Sequence, residues 1–171
     1  MATDSFGFEI EVVSQYYAKY RPTYPPELYK KILQYLDEGS AMKNGRRGLA
    51  VDVGCGGGQT TLVLARHFEV VIGIDSSKTQ LIEAEKASVD SRNVSYRQTS
   101  AEDLSAAVAT ESADLVTVGT AIQYFDMVKF YKEAFKILKP GGVLAVYTYN
   151  MPSWKNTDAD SLIHQVSSFS L

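Results

Sequence analysis

The stretch Leu49-Ala-Val-Asp-Val-Gly-Cys-Gly-Gly-Gly58 decides the fold, because a short apolar run ends there in four glycines within five positions. The residues that follow, Gln59 to His67, have the apolar spacing of a helix. The pattern predicts a strand, a tight turn and a helix, which together open a ligand-binding α/β unit. Such a turn needs glycine because its backbone visits positive φ and because a ligand can then lie against bare main chain.

The spacing of the glycines restricts the ligand. A dinucleotide-binding turn reads G-x-G-x-x-G, and its third glycine closes the helix against the strand. Here Gln59 stands at that third position, and the chain reads G-x-G-x-G at Gly54, Gly56 and Gly58. No Gly-Lys-Ser or Gly-Lys-Thr follows, which excludes a Walker phosphate-binding loop. A nicotinamide-dependent oxidoreductase is therefore a disfavoured alternative.

The next apolar run, Val70 to Asp75, predicts a second strand that ends in a carboxylate. Asp75 follows Gly58 by seventeen residues, the length of one helix and one strand. A carboxylate at this place can accept hydrogen bonds from both hydroxyls of a ribose. The two features together favour a ligand that contains a nucleoside.

Strands and helices continue to alternate, which predicts a doubly wound, mostly parallel α/β sheet of about five strands. The N-terminal part, 1–48, is predicted to be a helical lid with helices over 9–19 and from Pro26. The core spans 49–150, and 151–171 form a tail with a candidate helix over 158–169. In the fourth core helix, Phe125–Leu138, the apolar spacing predicts a buried stripe, formed by Val128, Tyr131, Phe135 and Leu138.

Four motifs occur in the order and spacing of the class I S-adenosylmethionine-dependent methyltransferases, which this chain resembles. They are Val51-Asp-Val-Gly-Cys-Gly-Gly-Gly58, Gly73-Ile-Asp75, Ala101-Glu-Asp-Leu104 and Leu138-Lys-Pro-Gly-Gly142. The segment from Tyr16 to Pro25 is similar to the N-terminal segment of the trans-aconitate-methyltransferase-like small-molecule group.

The resemblance implies a Rossmann-like methyltransferase fold with strand order 3-2-1-4-5-7-6 and a C-terminal hairpin beside the fifth strand. The residues after Tyr149 leave no room for that hairpin, so we expect a C-terminally truncated chain. An uncovered fifth strand is then a candidate edge for self-association, which the concentration dependence of sedimentation tests.

The resemblance also implies the cofactor, S-adenosyl-L-methionine, and the residues that hold it. The glycine turn would contact its methionine and ribose parts, Asp75 its ribose hydroxyls, and the 101–103 segment its adenine. The implied cofactor-binding residues are Tyr20, Asp52, Gly54, Gly56, Gly58, Asp75, Ser76, Ala101, Glu102, Asp103 and Gly119.

Three further residues are candidates for the methyl-transfer site. Arg21 is the candidate cation for a carboxylate acceptor, while Gln123 and Tyr124 are candidates to close the pocket. They stand where members of the group often carry a His-Trp pair, so a histidine base is not implied. Structural alternatives stay open: Asp52 as a cap for nearby N–H groups, Glu102 and Asp103 as first-turn helix acids.

Composition limits the class of protein. The chain has 171 residues, a formal charge of −3 and one cysteine, which fits a single domain in a reducing compartment. Neither a basic footprint, a membrane span nor a metal-ligand cluster is visible, so we expect no nucleic acid, membrane or metal partner and a cytoplasmic location. The leading interpretation is a methyltransferase acting on a small molecule, with a carboxylic acid as the candidate acceptor. The alternative is a catalytically inactive truncated isoform or an S-adenosylmethionine-binding module.

Overall fold

A computed structural model describes residues 23–39 and 47–149, and in them five strands form one parallel sheet. The strand order is β3-β2-β1-β4-β5, so the chain reverses direction across the sheet between β1 and β4. The strands are β1 Leu49–Val53, β2 Val70–Asp75, β3 Val94–Gln98, β4 Ala113–Gly119 and β5 Leu138–Tyr147. The doubly wound parallel sheet predicted from the sequence is confirmed.

Helices connect the strands and cover both faces of the sheet. They are α1 Pro26–Gly39, α2 Gln59–Leu64, α3 Lys78–Ala87 and α4 Met127–Ile137, with 3₁₀ turns at Leu104–Ala106 and Ile122–Tyr124. Side chains cap two of them: Ser77 accepts a hydrogen bond from the Gln80 N–H, and Asp126 accepts one from the Lys129 N–H. These caps satisfy donors that a helix N-terminus leaves unpaired, so they fix where α3 and α4 begin.

Alternate residues of each strand feed two separate cores, as expected for a parallel sheet buried on both faces. On one face, Val51 and Val53 pack in a cluster with Phe130 and Ile137 of α4. On the other face, the core is built from β1, β2 and β4 with residues of α1 and the α2 region, namely Ala50, Val71, Leu115, Leu33, Leu36, Leu64 and Phe68. This second face carries Asp52 and Thr117 further along β1 and β4, at the carboxyl ends where ligands bind in such folds.

The buried stripe predicted for α4 is wrong. Val128 and Phe135 are 67% and 84% exposed, and Tyr131 is also exposed, whereas Leu138 lies in β5. The residues that α4 buries are Phe130, Ala134 and Ile137.

Two sets of apolar residues on α4 have helical spacing, but only one set faces the sheet. A polar contact lies beside the set that faces the sheet. The Glu133 carboxylate accepts a hydrogen bond from the Ser105 N–H at 2.7 Å, and Lys136 Nζ donates to Ser105 Oγ at 2.7 Å. This flank of α4 therefore contacts the 3₁₀ turn at Leu104–Ala106. The other stripe is left on the flank away from that turn.

Within the described ranges, β5 pairs with β4 on one side only. Val146 on this strand is partly exposed, as is the outer stripe of α4. Residues 1–22, 40–46 and 150–171 lie outside the described residues, so most of the predicted lid and the whole predicted tail are not tested. Self-association through the β5 edge stays a prediction.

Gly73 in β2 lies directly against the Tyr96 ring in β3, and a substitution at this glycine tests how tightly the two strands pack. A Cβ at this position would lie 2.5 and 2.6 Å from ring carbons of Tyr96 and 3.1 Å from the Cys55 sulfur. We expect Gly73→Ala to lower the free energy of unfolding by about 1–3 kcal/mol, because the added methyl forces the ring to shift. Urea unfolding followed by circular dichroism measures the change.

Gly39→Ala is the matched control, since nothing lies within 4 Å of a Cβ at that glycine. Its effect should stay within about 0.5 kcal/mol. Equal stability of the two variants would contradict the packing of Tyr96 on Gly73.

Candidate active site

The turn after β1 has the backbone that its glycines predict. Gly54, Gly56 and Gly58 have φ values of 67°, 52° and 81°, a region that residues with a Cβ rarely adopt. The Cys55 N–H donates to the Ile74 carbonyl and the Gly58 N–H to the Cys55 carbonyl, each at 3.0 Å. The turn is thereby tied to β2 at the carboxyl edge of the sheet.

Asp75 lies beside this turn at the end of β2. Its Oδ2 accepts a hydrogen bond from the Gly56 N–H at 2.9 Å, and its Oδ1 accepts one from the Ser77 N–H at 2.9 Å. One carboxylate therefore joins the glycine turn to the loop that begins α3. A negative charge is held where a ligand on the turn can reach it.

Asp52 is a buried carboxylate in β1, only 1% exposed. It accepts hydrogen bonds from Thr61 Oγ1 at 2.7 Å and from Thr117 Oγ1 at 2.9 Å, and Thr117 is its register partner in β4. A buried charge is costly unless it is hydrogen-bonded, so the two hydroxyls help to stabilise Asp52 there. In this arrangement Asp52 joins β1 to both α2 and β4.

Tyr24 and Tyr147 pack beside Gly119 at the end of β4, and the Tyr29 ring contacts that of Tyr147. The Tyr24 hydroxyl forms a hydrogen bond with Thr120 Oγ1, and its ring meets the ring of Tyr147 edge-on with centroids 4.7 Å apart. Tyr29 and Tyr147 each hydrogen-bond Thr60 Oγ1, at 3.2 and 3.3 Å. Burial raises the pKa of Tyr147, and the negative charge of Asp52 raises it further. Burial also raises the pKa of Tyr29, so the Tyr29 and Tyr147 phenols are neutral at physiological pH.

Tyr24 also narrows the crevice at the point where the strand order reverses. Tyr24, Gly54, Gly119 and four neighbours line a cavity of about 10 Å³ there, the size of one water molecule. A Cβ at Gly119 would lie 3.2 Å from Tyr24 and 3.0 Å from Tyr147. A ligand larger than a water can enter this cavity only if one of its walls moves, and Tyr24 is the aromatic side chain among them.

The structure brings Asp52, Gly54 and Gly119 to one crevice, with Gly56 and Asp75 beside it. Other candidates lie apart from this crevice or have structural partners. Glu102 Oε1 accepts a hydrogen bond from the Asp126 N–H at 2.8 Å, at the start of α4. Gln123 and Tyr124 are exposed, and Gln123 Nε2 donates to the Thr120 carbonyl.

The remaining candidates are Ala101, which is buried, and Ser76 and Asp103, which are exposed. The Ser76 carbonyl accepts a hydrogen bond from Gln98 Nε2 at 3.0 Å. Tyr20 and Arg21 lie outside the described residues. The assignment of all these residues to cofactor or acceptor stays a prediction.

Tyr96 in β3 is a residue that sequence reasoning missed. Its ring covers Gly73, and its hydroxyl lies 2.5 Å from where a Cβ of Gly58 would be, so it supports the glycine turn. Burial raises the pKa of Tyr96 to about 12 and that of the Cys55 thiol well above its usual range. Cys55 is therefore a neutral thiol and no nucleophile.

A parallel sheet with a glycine turn after β1 and a carboxylate after β2 defines the class of nucleoside-binding, Rossmann-like α/β proteins. Comparison with known proteins narrows the class, since a family model described as a methyltransferase domain matches residues 51–146. The chain belongs to this methyltransferase domain family.

Relatives agree with this family. A methyltransferase of Dictyostelium discoideum is 35% identical over 162 residues, which cover 95% of this chain and 55% of the relative. An S-adenosylmethionine-dependent methyltransferase of Saccharomyces cerevisiae is 32% identical over 144 residues, covering 82% of this chain and 47% of the relative. A solved methyltransferase structure from Anaeromyxobacter dehalogenans aligns with a TM-score of 0.64 at 28% identity, over 86% of this chain and 56% of that one. The chain thus spans about half the length of these relatives.

The cofactor that this family implies is S-adenosylmethionine, and the described residues fit it in chemistry. Glycines with positive φ at Gly54, Gly56 and Gly58 leave bare main chain, and Asp75 offers a carboxylate beside them. The Tyr24 ring, by contrast, limits the space in the crevice for a ligand of this size. In the described ranges no helix is long and apolar enough to cross a membrane, and no cluster of His, Cys, Asp and Glu is arranged to hold a metal.

The Asp52 network yields a stability prediction. Thr117→Val keeps the shape of the side chain but removes a hydroxyl that donates to the buried carboxylate. We expect the free energy of unfolding to fall by about 1–3 kcal/mol, because part of the buried charge loses its hydrogen bond. Thermal and urea unfolding measure the difference.

Thr110→Val, at an exposed position, is the control and should change stability by less than about 0.5 kcal/mol. A Thr117→Val variant as stable as the control would show that Asp52 does not depend on this hydrogen bond.

Proposed function

We propose that this chain binds S-adenosylmethionine in the crevice between β1 and β4 and transfers its methyl group to a small molecule. The observation that carries this proposal is the Asp75 carboxylate, which is hydrogen-bonded to the Gly56 N–H within a turn of positive-φ glycines. The family of the chain supports the reaction type.

S-adenosylmethionine supplies a methyl group on a positively charged sulfur, which the lone pair of an acceptor can displace. The protein contributes alignment and exclusion of water rather than a covalent step. The glycine turn offers main-chain contact, and Asp75 is the acceptor for ribose hydroxyls. The buried carboxylate of Asp52 and the aromatic rings of Tyr24 and Tyr147 favour a cationic group nearby.

For the acceptor, we propose a small carboxylic acid. A carboxylate is already ionised at neutral pH, so it needs a positioning cation and no general base. Arg21 is assigned this part because the segment from Tyr16 to Pro25 resembles that of the trans-aconitate-methyltransferase-like group. Tyr24, which belongs to the described end of this segment, lines the crevice, and this supports a place for Arg21 near its mouth.

A catalytically inactive binding module is the second candidate. The small cavity beside Tyr24 favours it, because the ring leaves little space for an acceptor next to the cofactor. The two candidates differ in one property: only the first produces a methylated product.

The binding step is tested by titrating the full chain with S-adenosylhomocysteine while its melting temperature is measured. A ligand that binds the folded state raises the melting temperature, and NAD serves as the comparison ligand. We expect Asp75→Asn to weaken the affinity about tenfold or more, because an amide replaces the charged hydrogen-bond acceptor.

Asp90→Asn, which removes an exposed carboxylate, should bind like the unaltered protein. Absence of any shift with S-adenosylhomocysteine in the unaltered chain, or a shift with NAD alone, contradicts the proposal.

The acceptor is tested with labelled S-adenosylmethionine and a panel of small acids, amines and phenols. We expect label in the carboxylic acids, and a rise in KM for them of about tenfold or more in Arg21→Ala, since a charge-assisted contact is lost. Arg92→Ala, at an exposed position on the loop before β3, is the matched control. Unchanged turnover of every carboxylic acid by Arg21→Ala would rule out its assigned part, while binding without any labelled product selects the inactive module.

A further inference from the structure

Thr120 follows Gly119 at the end of β4 and has a backbone conformation that threonine rarely adopts. Its φ is 53°, in the left-handed region, where the Cβ of an L-residue crowds the following carbonyl oxygen. A residue is held there only when its surroundings determine the conformation, and such residues concentrate at functional sites. The contacts of Thr120 therefore impose its backbone, and its side chain points where those contacts direct it.

Two hydrogen bonds hold the Thr120 backbone. Its N–H donates to the Tyr147 carbonyl at 2.9 Å, and its carbonyl accepts from Gln123 Nε2 at 3.2 Å. The first bond extends the pairing of β4 with β5, in which Gly119 is the register partner of Tyr147. The second ties Thr120 to the 3₁₀ turn that follows it. Neither bond uses the threonine hydroxyl, which is left for a contact of its own.

The Thr120 hydroxyl is hydrogen-bonded to the hydroxyl of Tyr24, which lies 96 residues away in the chain. Thr148 Oγ1 is another neighbour, 3.5 Å from Thr120 Oγ1. That separation exceeds the range of about 2.5–3.0 Å that is usual between two hydroxyls. Tyr24 is therefore the close side-chain partner of Thr120 within the part of the chain that the structure describes.

The hydrogen bond differs in kind from the other contacts of the Tyr24 ring. That ring meets the rings of Tyr147 and Tyr149, with centroids 4.7 and 5.8 Å apart. Apolar contact between rings is compatible with several arrangements, whereas a hydrogen bond weakens steeply away from its preferred angle. The bond to Thr120 is thus the directional contact that fixes where the Tyr24 ring lies, and there the ring forms a wall of the crevice.

We propose that Thr120 is a positioning residue whose hydroxyl holds the Tyr24 ring at the crevice between β1 and β4 and so limits the access of the cofactor. A ligand that needs this space binds only those molecules in which the ring has moved, so its observed affinity scales with their fraction. Loss of the Thr120 hydroxyl raises that fraction and strengthens binding. The effect on the cofactor rests on the proposed function, whereas the positioning of Tyr24 does not.

Nitration of tyrosine rings by tetranitromethane, located by mass spectrometry, tests the positioning in the full chain without any cofactor. We expect nitration of Tyr24 to be at least threefold faster in Thr120→Val, which keeps the branched shape and lacks the hydroxyl. Thr120→Ser keeps the hydroxyl and should show the rate of the unaltered chain. Tyr35, which is exposed on α1, is the internal reference and should react equally in every variant.

Two further variants separate the hydroxyl from the backbone and from its second neighbour. Thr120→Gly adopts a positive φ without strain and should also release Tyr24, which keeps the test open if Thr120→Val does not fold. Thr148→Val is the matched control, since it removes the neighbouring hydroxyl and should leave Tyr24 nitration unchanged. Unchanged nitration of Tyr24 in a folded variant that lacks the Thr120 hydroxyl overturns the proposal. Faster nitration in Thr120→Ser or in Thr148→Val also overturns it.

The effect on the cofactor is measured by calorimetric titration with S-adenosylhomocysteine. We expect Thr120→Val to bind it at least threefold more tightly than the unaltered chain, with Thr120→Ser and Thr148→Val unchanged. Tyr24→Phe removes the other half of the same hydrogen bond, so it should also strengthen binding. The double variant Tyr24→Phe/Thr120→Val should add little to either single change.

The two measurements distinguish failure of this inference from failure of the proposed function. Faster nitration of Tyr24 together with unchanged or weaker S-adenosylhomocysteine binding shows that Thr120 does not limit access to the crevice, which overturns that part of the proposal. Faster nitration with no S-adenosylhomocysteine binding in any variant supports the positioning of Tyr24 by Thr120 and removes the proposed function.

Discussion

The hydrogen bond from the Gly56 N–H to Asp75 is the interaction on which the site depends. It joins the ends of β1 and β2 through a turn whose glycines have positive φ. Glycine can adopt many backbone conformations, and this hydrogen bond holds the turn in one of them. The same carboxylate also accepts from the Ser77 N–H, and Ser77 in turn caps α3. One side chain thereby sets the relative position of the first turn, the second strand and the helix that follows it.

A second constraint is electrostatic. Asp52 is a buried carboxylate that accepts hydrogen bonds from two threonine hydroxyls, and burial raises the pKa of the nearby Tyr147. A hydroxyl donates to a carboxylate without neutralising it, so these two hydrogen bonds are compatible with an ionised Asp52. A buried carboxylate attracts a nearby cation more strongly than a water-exposed one does. The Asp52 carboxylate therefore suits a ligand with a positive sulfur better than an anionic pyrophosphate.

The sequence predicts those features of the fold and the site whose causes lie in neighbouring residues of the chain. The glycine turn and Asp75 follow from nearest neighbours and from the fixed length of a helix and a strand, so the sequence sufficed. The buried face of α4 could not be predicted, because two sets of its apolar residues fit a helical period. The face that is buried is accompanied by a contact between Glu133 and Ser105, which lie 28 residues apart in the chain. Thr117 offered a weak signal as a polar residue within an apolar strand, but its pairing with Asp52 required the register of β1 and β4. The partner of Glu102 at the start of α4 depends on tertiary packing and was beyond sequence reasoning.

Tyr24 is a further residue on which ligand binding depends, because its ring lines the crevice between β1 and β4. Its hydroxyl bonds to Thr120, a non-glycine residue with a φ of 53°, and its ring rests on Tyr147 and Gly119. A ligand that displaces the Tyr24 ring breaks these contacts, so its observed affinity is the intrinsic affinity multiplied by the fraction of molecules in which the ring has already moved. Any contact that favours the displaced ring then strengthens binding without touching the ligand. Tyr24 is therefore placed to set affinity, even though the carboxylates and glycines proposed to recognise the ligand lie on the strands and in the turn after β1.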